Sequence, residues 1–115
     1  MTAQELLKIE MNEAEYQLGK VLEGLDEDRA DAKPLATVMS PREQVEHLSE
    51  VYVAAAEQAA GQAHDWGSYS VPDRCWRPML DEMWKLRASA AEAILAGDDT
   101  LGTKILAGTP SRIAA

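Results

Sequence analysis

Between residues 3 and 25 the apolar positions Leu7, Met11, Ala14, Leu18, Val21 and Leu25 recur at alternating steps of four and three, while Lys8, Glu10, Glu13, Glu15, Gln17 and Lys20 fill the gaps. That spacing gathers the apolar side chains on one stripe of an α-helix and turns the charges outward. Thr2, with Glu5 three residues on, reads as a capping box in which each side chain satisfies a backbone N–H that the first turn leaves unpaired. A first helix is therefore expected over about residues 3–25.

The stretch 26–38 starts charged, holds no period and contains Pro34, which keeps Lys33 out of helical geometry. It reads as a connection long enough to cross one end of a bundle. Ser40, Pro41 and Glu43 then supply an N-cap, a first helical residue with no N–H to lose, and the closing carboxylate of a second box. Val45, Leu48, Tyr52, Ala55 and Ala59, widened by Val51 and Ala56, give a second helix over about 41–60, with Gly61 suited to a left-handed cap. Residues 62–77 carry Gly67, Pro72 and scattered aromatics and read as a loop.

From Pro78 a third stripe runs through Met79, Met83, Leu86, Ala90 and Ile94, giving a helix over about 78–96. Asp98 and Asp99 can cap a short helix over about 99–107 bearing Leu101, Ile105 and Leu106, stopped by Gly108 and Pro110. The pattern thus predicts an all-α fold, an antiparallel bundle of three long helices and a short C-terminal one, in a single domain spanning 1–115. Three wide stripes leave a groove that the short tail covers in part. Leu101, Ile105 and Leu106 are expected to fill some of it and to form an interface with a second copy or another protein.

Composition narrows the function. The net charge of −9, from 20 acidic against 11 basic residues, repels nucleic acid and anionic membranes. The core must be built without Phe, from Leu, Met, Val, Ile and Ala. Cys75 is the single cysteine, which rules out an intramolecular disulfide and a thiolate zinc cluster and suits a reducing compartment. Met1 to Glu5 lack the features of a signal peptide and no apolar run approaches the length of a membrane span, so a cytoplasmic chain is expected.

Candidate chemistry is sparse. His47 lies beside the stripe residue Leu48 with Glu43 and Glu50 one turn away, an arrangement that reads either as one ligand of a divalent metal such as zinc or nickel, or as a half-buried histidine bonded to a carboxylate. The other histidine, His64, is a second conceivable ligand, although His64-Asp65 reads more simply as a solvated turn. Arg74 and Arg77 flank Cys75 and would favour its thiolate; the plainer reading is a small loop residue near Trp76. Trp66, Tyr69, Trp76 and Trp84 gather around one end of the third helix and could line a small-molecule pocket. Glycine-rich phosphate loops, GxSxG and HExxH are absent from the sequence.

The run Ser40-Pro41-Arg42-Glu43-Gln44-Val45-Glu46-His47-Leu48-Ser49-Glu50, with the helix and connection before it, resembles the DinB-like family, whose second helix opens with a similar cap and carries a histidine followed by an apolar residue. The likeness in order of elements extends over about residues 6–96. It implies a four-helix bundle with a long crossover, often dimeric, and in many members a divalent metal held by one histidine of the second helix and two of the last. Only His47 has a counterpart, since the sequence from Asp98 onward contains no histidine. The expectation carried forward is a non-catalytic, protein-binding, reduced DinB-like bundle that forms a homodimer and needs no cofactor. The alternative is a metal-dependent enzyme of that family, a thiol-dependent transferase or hydrolase working through His47.

Overall fold

Four α-helices account for most of the chain: α1 Ala3–Glu23, α2 Pro41–Ala59, α3 Trp76–Leu95 and α4 Asp99–Gly108, with one 3₁₀ turn, Glu27–Arg29, in the first connection. The structure, a computed structural model, describes residues 1–108, the side chains of Asp99 and of 106–108 excepted. Among the described residues there is no strand, and no helix is long and apolar enough to cross a membrane.

Both expected capping boxes form. Thr2 Oγ1 accepts the Glu5 N–H at 3.1 Å, and Ser40 Oγ accepts the Glu43 N–H at 3.1 Å while Glu43 Oε1 accepts the Ser40 N–H at 3.2 Å. α2 closes as a Schellman motif: Gly61 takes φ +82°, its N–H bonds to the Gln58 carbonyl, and the Gln62 N–H reaches back to the Glu57 carbonyl. α3 starts earlier than expected, at Trp76, so Pro78 is its third residue. Nothing is lost, because N–H groups of the first turn have no intrahelical acceptor and a proline there forfeits no bond.

α2 and α3 share the largest helix interface, whereas α1 packs chiefly on α4 and to a lesser extent on α3. The main core joins Leu22 of α1, Ala30 of the connection, Val45 and Tyr52 of α2, and Trp76, Met79 and Met83 of α3. A smaller cluster of Leu7, Met11 and Ile94 lies at the other end, with Ile105 of α4 packed against it. Burial of each such large apolar side chain contributes about 1.5–3 kcal/mol before conformational entropy is subtracted. One expected core position fails: Val21 is 68% exposed and Leu22 is buried in its place. After Leu18 the two residues flank the stripe on opposite sides, and the packing of the connection and α3 selects the Leu22 side.

The long connection is held by polar contacts. Arg42, 6% exposed, places Nε 3.0 Å from Asp31 Oδ1 and Nη2 2.9 Å from Glu27 Oε1, and its Nη1 donates to the Arg74 carbonyl. Asp31 foremost, then Glu27, holds the guanidinium above its ordinary titration range against the opposing effect of burial. One side chain therefore ties the start of α2 to the connection before it and to the loop before α3.

Candidate functional site

His47 sits on the solvent side of α2 and is exposed. The half-buried, carboxylate-bonded histidine anticipated there is not found, because its neighbours are engaged elsewhere: Glu43 pairs with Lys33 at 2.8 Å, and Glu50 turns to the other histidine. His64, expected in a solvated turn, is instead clasped onto α2. Its side chain is 1% exposed, with Nε2 2.8 Å from Glu50 Oε2 and Nδ1 2.9 Å from Glu57 Oε2. Ionised carboxylates only accept, so both ring nitrogens carry hydrogens and the imidazolium form is favoured. Glu50 first, then Glu57, raises the His64 pKa above its ordinary 6.5, and His64 with the Gly67 N–H holds Glu50 below its ordinary 4.5.

The clasp organises the loop between α2 and α3. Glu50 Oε2 also accepts the Gly67 N–H at 2.7 Å, where the chain turns through φ +92°. Trp66 lies edge-on to His64, with ring centroids 4.7 Å apart, and remains 57% exposed. The four aromatics proposed to line one pocket are thus distributed. Trp76 is in the core, Trp84 packs against it part-buried, Tyr69 is part-buried, and Trp66 faces solvent beside His64.

His47 and His64 do not converge on a common centre, and among the described residues no group of three or more His, Cys, Asp or Glu side chains is arranged to hold a metal ion. Cys75 is exposed, but its thiol is pushed up from its ordinary 9.0, chiefly by the hydrogen-bonding and charge of Asp73. The flanking arginines do not offset this, since Arg74 pairs with Glu46 at 2.6 Å and Arg77 faces Asp81. The thiolate that the Arg-Cys-Trp-Arg run could have favoured is disfavoured.

Leu101 and Ile105 are part-buried, the latter against Leu7, Met11 and Ile94, so α4 closes one end of the apolar interior. The Leu106 side chain lies outside the described residues. Further along, α1 and α2 flank a cleft floored by α3, of about 40 Å³, lined by Met11, Val51, Tyr52, Ala55, Arg87, Ala90, Ala91 and Ile94. Within it Arg87 Nη1 donates to the Tyr52 hydroxyl at 3.1 Å and Nη2 to the Met11 carbonyl at 2.8 Å, with the guanidinium carbon 5.5 Å from the Tyr52 ring centre.

The stripe through Leu86 omits Arg87, although the sequence carries a signal for it. Met79, Met83, Arg87, Ala90 and Ile94 step by four, four, three and four, which places a cation in line with core residues. A charged residue in register with an apolar stripe is the sequence mark of a buried polar site. Compared with known proteins, the chain matches no family model, no curated sequence and no solved structure.

Proposed function

We propose that this chain is a non-catalytic, acidic helical protein that acts through protein–protein interaction, a reduced DinB-like bundle that associates with a second copy of itself. The observation that carries this reading is a set of exposed apolar side chains on the outer side of α1, placed among Asn12, Glu13 and Lys20. Leu7 and Met11 enter the core, while on the outer side Ile9 is 53% and Tyr16 58% exposed, two turns apart and in line, with Leu6 beside them at 39%. Apolar side chains aligned on a solvent face and rimmed by polar ones suit an interaction surface. The outer face of α1, and not the tail residues Leu101 and Ile105, is thus the interface favoured.

Native mass spectrometry of the full chain, with and without added zinc or nickel, tests the reading in one spectrum. A metal-free dimer is expected, reduced to monomer by the double substitution Ile9→Glu and Tyr16→Glu with the helical circular dichroism retained. A monomer that persists to high micromolar concentration would overturn self-association. One metal ion per subunit, lost in His47→Ala, would restore the metal-dependent enzyme in its place.

A further inference from the structure

Arg87 is 8% exposed and Tyr52 5%. A guanidinium keeps its charge at every pH at which a protein folds, and removing it from water is costly unless a counter-charge or a full set of acceptors replaces the solvent. The molecule itself supplies the comparison. Among the described residues the other buried arginine, Arg42, is given two carboxylates, Asp31 and Glu27. Arg87 has none among the described residues and is met only by two neutral oxygens, the Tyr52 hydroxyl and the Met11 carbonyl.

The donors are in surplus. Two of the five guanidinium N–H groups have a protein acceptor among the described residues. The Tyr52 oxygen accepts from Arg87, which leaves its own hydrogen to be donated, and no described residue receives it. Arg87 and Tyr52, which carry these surplus donors, both line the cleft of about 40 Å³, whose remaining lining, Met11, Val51, Ala55, Ala90, Ala91 and Ile94, is apolar. Val51, Ala55 and Ala91 are part-exposed, so the cleft opens to solvent.

What this arrangement lacks is an anionic acceptor small enough for the space, with an apolar remainder. Two adjacent donors match the two oxygens of a carboxylate, and the charge-assisted bonds so formed are stronger than those to neutral oxygens. Sulfate and phosphate fit poorly, since their further oxygens would lie unbonded against methyl groups. We propose that the cleft between α1 and α2 binds a small aliphatic monocarboxylate, its carboxylate on Arg87 and Tyr52 and its alkyl group against Val51, Ala55 and Ala91. This site is separate from the outer face of α1 and does not depend on self-association.

Isobutyrate is the probe, titrated into the full chain and followed by amide and arginine side-chain NMR, with isobutyramide and sodium chloride at matched ionic strength as controls. Saturable shifts at Met11, Tyr52, Arg87 and Ala91, with an affinity in the millimolar range, are expected for isobutyrate alone. Arg87→Lys weakens binding by about tenfold, because an ammonium cannot present the paired donors of the planar fork. Ala91→Leu fills the cleft and abolishes binding with Arg87 and the fold intact, which decides the matter even where substitutions at Arg87 unfold the chain. Equal shifts with isobutyramide or chloride, no saturation at high millimolar concentration, or binding that survives Ala91→Leu would each overturn the site and leave Arg87 as a brace between helices.

Discussion

Glu27 caps a helix that begins 49 residues after it: its Oε2 accepts the backbone N–H of Trp76 at 2.5 Å, while its Oε1 pairs with Arg42. The residue in the N-cap position of α3, Cys75, makes no side-chain cap bond, so this remote carboxylate performs the capping. It also places negative charge at the positive end of the helix dipole. Glu27→Ala is therefore expected to lower stability by about 1–2 kcal/mol, as loss of an ordinary N-cap does. Glu27→Gln keeps one acceptor and should lose less. Urea unfolding followed by circular dichroism measures both, and an unchanged midpoint for Glu27→Ala would show that the bond contributes nothing.

The His64 clasp sets a pH window. His64 titrates above its ordinary 6.5 in the folded chain, so its contribution is complete below 6.5 and is lost as pH rises through the higher folded value. Glu50 titrates below its ordinary 4.5, so its contribution is present above 4.5 and is lost as pH falls through the lower folded value. The loop is thus held best between those limits and released first on the alkaline side. Hydrogen exchange at Gly67 is the readout, with protection expected to fall as the medium becomes alkaline. His64→Gln should remove that dependence, lower the melting temperature by several degrees, and increase the exposure of Trp66 seen in its fluorescence.

Cys75 is accessible yet expected to be sluggish. Asp73 Oδ1 accepts the Cys75 N–H at 2.9 Å and its charge disfavours the thiolate next to it. At pH 8 the reaction with iodoacetamide should be slower than that of a free cysteine peptide, and Asp73→Asn should accelerate it a few-fold, because the thiolate is the reacting form. A rate in Asp73→Asn no greater than in the parent chain would contradict this account.

Gly102 lets α4 approach α1. A Cβ built on it would stand 2.2 Å from Gln4 Oε1 and 3.1 Å from Ala3 Cβ. Gln4 has little freedom to retreat, since its Nε2 donates to the carbonyls of Ile94 and Gly97, both at 2.7 Å, and so caps the end of α3. In an exposed helix Gly→Ala would stabilise by about 1 kcal/mol. The contact reverses that sign, and Gly102→Ala is expected to destabilise the docked helix, with loss of amide protection confined to α4 and the first turn of α1.

Much of the fold was legible in the sequence because its causes are local. The Thr2–Glu5 and Ser40–Glu43 boxes, the proline opening α2, the glycine closing it and three stripes of helical period each act within a few residues. The helix ends therefore fell within about two residues of their places. For α3, the local pattern points to a start at Pro78, two residues after the true one at Trp76. What moved it back to Trp76 includes a carboxylate from the first connection, which no window around residue 78 contains.

The sites followed the opposite rule. Readable from residue order alone are the helical periods, the acidic balance, one cysteine, two histidines and a cation in register on the third stripe. Packing in three dimensions sets which histidine is held, that Asp73 and not the flanking arginines governs Cys75, and that Arg87 is left with neutral acceptors beside a cleft. The difference is one of range. Helix propensity and capping are settled between neighbours along the chain, whereas burial, hydrogen-bond partnership and charge balance are settled by neighbours in space, and for Glu27 and Trp76, or Arg87 and Met11, those lie 49 and 76 residues apart.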